Sequence, residues 1–145
     1  MSESSEVWVY TTMDLLRTGQ PAINLRIYLS WRVGDPYVVQ MRVAAGRADV
    51  PDVVWLLSRE LLAEGLTCEA GWGDVRILPD PVQEGQVLLR LGAMPGQQGW
   101  CRLTAYELQD FLTDTYRRVP LGHELLHIPL DAELAELLAG GGATP

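Results

Sequence analysis

The sharpest chemical signal in this sequence is His123-Glu124-Leu125-Leu126-His127. On a helix, two imidazoles four residues apart share a face and can hold zinc, while the intervening Glu serves as general base. The flanks work against that chemistry. Gly122 precedes the first His and Pro129 follows two residues after the second, so the segment has room for little more than one turn, whereas such ligands need a stiff helix. The chain has no third His, and a carboxylate ligand would have to come from Asp131, Glu133 or Glu136, crowded just downstream. The expectation is an extended segment with two ordinary histidines and no cofactor; a zinc-dependent hydrolase using His123, Glu124 and His127 is the enzymatic alternative.

Gly71-Trp72-Gly73-Asp74 has the glycines of a phosphate cradle but neither the Lys nor the following Ser or Thr of one, so it reads as a tight loop between strands. Cys68 and Cys101 lack neighbouring ligand pairs and are expected as buried structural thiols in a reducing compartment. Trp31-Arg32 and Tyr116-Arg117-Arg118 set aromatics beside cations, as single-stranded nucleic-acid platforms do, and make such a binder the second alternative. Trp31, Trp55 and Trp100 are expected to pack in or around a core. Trp72, held between two glycines, is the tryptophan expected to be exposed and is a candidate partner contact. The Val119-Pro120-Leu121-Gly122-His123 turn supplies two further candidates, Gly122 and His123.

The elements that must position these residues are short. Val7 to Arg17 and Ile23 to Val33 read as strands, the second alternating Ile23, Leu25, Ile27, Leu29 and Trp31 against polar neighbours. Gly34-Asp35-Pro36 turns the chain into a third strand, Tyr37 to Val43. A strand over Val53 to Leu57 precedes a short helix capped by Ser58 and stopped at Gly65. Gly73 to Leu78, Gln86 to Leu91 and Trp100 to Leu103 suggest a second antiparallel meander. Thr104-Ala105-Tyr106-Glu107 has the pattern of a capping box opening a helix over Ala105 to Arg118, and a last helix starts near Asp131. The sum is an α+β chain, antiparallel sheets first and helices late.

Composition sets the bounds. A chain of 145 residues, 48% apolar and 21% charged, fits one domain with its own core, with residues 1–6 and 140–145 as loose tails. No apolar run approaches the ~20 residues a membrane helix needs. A formal charge of −8 opposes nucleic-acid binding, which leans on clustered cations.

The order of motifs resembles the SsgA-like proteins of sporulating actinobacteria: Asp35-Pro36-Tyr37, then the run Trp55 to Leu66, then Gly71-Trp72-Gly73-Asp74-Val75-Arg76, and finally Val119-Pro120-Leu121-Gly122 ahead of Leu130 to Leu134. The HExxH string and the bulky Trp72 depart from that pattern. The resemblance implies a non-enzymatic, cytoplasmic regulator of sporulation septation that works by recruiting division or peptidoglycan-remodelling proteins, including the tubulin-like protein FtsZ or another SsgA-like protein. It also implies a homotrimer and a fold similar to the whirly-type single-stranded nucleic-acid binders, without their activity. No catalytic residues come with the family.

Overall fold

The computed structural model describes residues 5–128 apart from 45, 47, 48, 50, 95 and 96, so the last helix expected near Asp131 and the outer tails lie outside the described residues. Strands β1 (Glu6–Arg17), β2 (Gln20–Arg32), β3 (Asp35–Val43) and β4 (Val53–Ser58) form an antiparallel meander. Helix α1 (Arg59–Glu64) leads into β5 (Ala70–Trp72), β6 (Val75–Pro79), β7 (Gln86–Met94) and β8 (Gln97–Thr104), a second meander, followed by helix α2 (Ala105–Arg118).

The two meanders are not separate sheets. Asp14 pairs with Arg102 and Leu15 with Cys101, joining β1 to β8 and making one eight-stranded sheet in the order β4-β3-β2-β1-β8-β7-β6-β5. A pairing between residues so far apart in sequence leaves no local signal, which is why the strands were legible and their union was not.

Side chains alternate across each strand, so every strand offers one face to the core and one outward. Val7, Met13, Ile27, Leu29, Trp31, Val39, Met41, Leu57, Ile77, Val87, Leu89, Cys101 and Leu103 point inward and are buried. Ile23, expected on this face as a core residue, is exposed near the start of β2, where the first five residues of the strand are all exposed. Leu62 of α1 and Leu108, Phe111 and Leu112 of α2 fill the concave side.

The sheet curls into a half-barrel around these helices, and glycines permit the closest approaches. The Trp55 ring of β4 lies against Gly92 of β7, although these strands are not hydrogen-bonded neighbours. Gly92 has φ +67°, sits at a register shift between Arg90 and Ala93, and donates its N–H to Asp74 O at 2.6 Å. Gly65, at the end of α1, lies so close to Ile77 that a Cβ there would sit 2.3 Å from its Cγ2.

Helix α1 is capped as expected, Leu61 N–H donating to Ser58 Oγ at 3.1 Å. Thr104 occupies the cap position of α2 but makes no side-chain capping bond. The expected reciprocal box is replaced by a tertiary contact, because Glu107 accepts a hydrogen bond from the Thr11 hydroxyl of β1. The thiols also divide: Cys101 is buried, which pushes its pKa up to about 11, whereas Cys68 is exposed after α1, contrary to expectation. There the chain turns outward, with Thr67 and Cys68 N–H both donating to Glu64 O at 3.1 Å.

Gly65 has an ordinary helical φ of −66°, so Gly65→Ala meets no backbone strain and isolates the steric cost against Ile77. Overpacking of this kind costs about 1–3 kcal/mol. Chemical denaturation of Gly65→Ala is expected to read a loss in that range.

Candidate partner-binding face

The predicted contact residues come from segments distant in sequence: Trp72 lies in the hairpin beside α1, and Gly122 and His123 lie in the turn after α2. Trp72 is the last residue of β5, not a loop residue, and pairs with Val75 across the hairpin turn at Gly73 and Asp74. It is 89% exposed. A cleft of about 540 Å³ separates its hairpin from α1, bounded by Trp72, Asp74 and Val75 on one side and Glu60, Leu61 and Glu64 on the other. A second cleft, of about 610 Å³, lies on the opposite flank of α1, between Glu60, Ala63, Glu64 and the residues Tyr116, Pro120 and Leu121. Glu60 and Glu64 line both. The face is therefore an acidic ridge with an apolar shoulder on either side.

Gly122 and His123 are exposed in the turn beyond the second cleft but do not line it. Pro120 and Leu121 do, with Leu121 64% exposed. The sequence signal that could have found Leu121 is a leucine between Pro and Gly, a position with too little regular structure to bury it.

The turn is held from below by Arg59, the first residue of α1, which is only 1% exposed. Its Nη1 donates to Val119 O at 2.9 Å and to Thr115 O at 3.2 Å, the second of which also accepts the Val119 N–H that closes α2. Its Nη2 meets Glu124 Oε2 at 3.3 Å, and its guanidinium lies 4.0 Å from the Tyr116 ring centroid and 5.4 Å from that of Trp31. Glu124 Oε1 in turn accepts from Gly122 N–H at 2.6 Å, in a turn where Gly122 has φ +91°.

This arrangement decides the fate of the HExxH string. The segment is not extended, as expected from its flanks, but a single 3₁₀ turn, Glu124–His127, with His123 at its cap. At three residues per turn, positions 123 and 127 point about 120° apart and do not share a face. Glu124, the would-be general base, is 5% exposed and engaged by Arg59. Among the described residues, no three His, Cys, Asp or Glu side chains are grouped to hold a metal ion.

The backbone N–H of Glu124 itself, that of Gly122 and the Arg59 guanidinium hold the Glu124 carboxyl below its ordinary value, outweighing burial. Asp80 is likewise lowered, first by the Val82 N–H, then by the Gln83 N–H and by Arg102, whose Nε lies 2.8 Å from Asp80 Oδ2. A carboxyl lowered on folding stabilises the protein above its unfolded pKa, and that contribution is lost as the pH falls through the folded value. Stability is thus expected to decline as the pH drops below about 4. Glu124→Gln should lower stability at neutral pH, flatten that acid limb and speed amide exchange at Gly122 and Leu126. Denaturation midpoints across pH and residue-resolved hydrogen exchange would check both effects.

Comparison with known proteins gives the geometry its family. Residues 25–124 match the family described as "Streptomyces sporulation and cell division protein, SsgA". The sporulation-specific cell division protein SsgB of Saccharopolyspora erythraea is 38% identical over 125 residues, covering 86% of each chain. Its Streptomyces coelicolor counterpart is 37% identical over 128 residues, covering 88% of this chain and 91% of that one. The crystal structure of an SsgA-like sporulation-specific cell division protein from Thermobifida fusca superposes with a TM-score of 0.80 at 33% identity, covering 94% of this chain and 98% of the other. A family match over more than half the chain, joined to the same fold along nearly its whole length, means that this chain belongs to the SsgA family of sporulation and cell division proteins.

Proposed function

We propose that this chain is a non-enzymatic regulator of sporulation-specific cell division that recruits division or peptidoglycan-remodelling proteins through the face built around α1. The observation that carries this reading is Trp72, 89% exposed beside the acidic ridge of Glu60 and Glu64, with Leu121 on the far flank. Large apolar side chains standing out of a polar surface mark protein contacts, and Trp is prominent among interface hot spots. Relatives named as sporulation-specific cell division proteins support the process. The partner is a division or cell-wall protein, FtsZ or another SsgA-like protein, met in the cytoplasm at the division septum. Gly122 and His123 contribute by shaping the turn that presents Leu121.

The same reading takes residues 1–145 as one domain, extends the fold likeness to the whirly-type binders without their activity, and makes the working unit a homotrimer. Light scattering is expected to give about three times the 16.1 kDa chain mass at micromolar concentration; a monomer would overturn the trimer.

Replacing Trp72 with Ala tests the face. Loss of a hot-spot Trp costs about 2 kcal/mol or more, roughly thirtyfold in affinity. Septal localisation of a fluorescent fusion and partner pull-down are expected to fail while melting temperature and mass stay unchanged. Normal recruitment, or loss only alongside unfolding, would place the contact elsewhere.

A further inference from the structure

The outward face of β1 to β4 carries a different chemistry from the rest of the molecule. Trp8 and Tyr10 of β1 lie outward and are 55% and 72% exposed. Tyr28 stands directly opposite Tyr10 on β2. The three rings touch: centroids are 5.6 Å apart for Trp8 and Tyr10, 6.1 Å for Trp8 and Tyr28, and 4.7 Å for Tyr10 and Tyr28. Exposed aromatics clustered on a sheet cost solvation unless something covers them.

Arginines surround the cluster. Arg42 pairs across from Tyr28, Arg26 lies two residues before Tyr28 opposite Thr12, and Arg32 lies four residues beyond it, all exposed and all on the outward face. The ion pairs of the described residues engage Arg59, Arg76, Arg102, Arg117 and Arg118; Arg26, Arg32 and Arg42 stand in none of them. Three carboxylates share the face: Glu6 and Asp35, which stand opposite Arg32 on β1 and β3, and Asp14, which accepts a hydrogen bond from Asn24 Nδ2 at 3.0 Å. A groove of about 410 Å³ runs from Arg32, with Glu6 and Asp35 beside it, past Ser30 and Gln40 to Leu56. Beyond it, β4 is the edge of the sheet, with Val54 and Leu56 exposed.

We propose that this face docks an extended, acidic segment of a partner protein that carries aromatic or leucine side chains. Arg26 and Arg42, away from the Glu6 and Asp35 that flank Arg32, supply the charge complement, in a molecule whose net charge of −8 and acidic α1 ridge would repel such a segment elsewhere. Arg clusters recognise acidic motifs through charge-assisted hydrogen bonds, and cations also stack on aromatic rings. The edge strand β4 offers unpaired backbone groups to a chain in extended conformation. A single-stranded nucleic acid would find the same stacking rings, but three arginines neutralise too few phosphates to hold a polyanion against the net charge.

The test uses the full-length protein and a random peptide library displayed on phage, panned in parallel on the wild type and on Arg26→Glu/Arg42→Glu. Sequences enriched on the wild type are expected to combine Asp or Glu with Phe, Tyr, Trp or Leu. Synthetic copies should quench or shift tryptophan emission, bind more weakly as salt rises, and lose at least about tenfold in affinity to the charge-reversed protein. Tyr10→Ala/Tyr28→Ala should lose binding as well. The milder Arg26→Gln/Arg42→Gln pair, with an unchanged melting temperature, guards against loss through misfolding, and Trp72→Ala should bind the peptides normally. Absence of enrichment, enrichment of basic or uncharged peptides, equal binding to the charge-reversed protein, loss of peptide binding in Trp72→Ala, or tighter binding of oligo-dT than of the peptides would each overturn the proposal.

Discussion

One buried guanidinium holds four parts of this molecule together. Arg59 begins α1, yet it reaches the carbonyls of Thr115 and Val119 at the end of α2, the Glu124 carboxylate in the following turn, and the rings of Tyr116 and Trp31. A charge out of water is tolerated where hydrogen bonds and an opposite charge are near: the end of α2 supplies two bonds to Nη1, and Glu124 supplies the charge 3.3 Å from Nη2. The Val119 to His127 stretch has few apolar anchors of its own, with Leu121, Leu125 and Leu126 all exposed. Its place beside α1 follows from Arg59 and Glu124 more than from hydrophobic packing.

The shape of the sheet sets the shape of the candidate face. Because β4 and β7 approach across the concave side at Trp55 and Gly92, the short α1 fits between the two sheet edges and lies beside the β5–β6 hairpin. A flat sheet would leave Trp72 far from the turn after α2. Gly65 and Gly92 matter for what they lack: at both positions a side chain would occupy the space in which one layer meets another.

Much of this was legible in the sequence, and what was not has physical reasons. Alternation gave the strands, and Ser58 followed by a helix-favouring run gave α1 with its cap. Trp72 between glycines was exposed as expected, because a hairpin end has little around it to bury a large ring. The join of β1 to β8 escaped, since register between distant strands is written in neither sequence alone. Arg59 escaped too: it sits in a charged helix-like run that reads as a solvated face, and only the tertiary meeting of α1, α2 and the 3₁₀ turn makes it buried. The apparent capping box at Thr104 shows the converse, a local motif whose Glu107 is drawn to a strand nearly a hundred residues away. Family resemblance carried the function where local chemistry could not, since the one catalytic-looking string proved to be a structural ion pair.

The β1–β8 seam also bears on how the chain is made. During synthesis β1 to β4 leave the ribosome first, while the strand that completes the sheet and the helix that covers much of its concave side come at residues 97–118. Until then the meander's inner face, with Trp31, Met41 and Leu57, lacks α2, and β1 lacks its partner β8. Across proteins, non-local closure of this kind goes with slower folding and longer exposure of apolar surface. The order of synthesis, and not only the stability of the finished fold, therefore bears on how this sheet is completed.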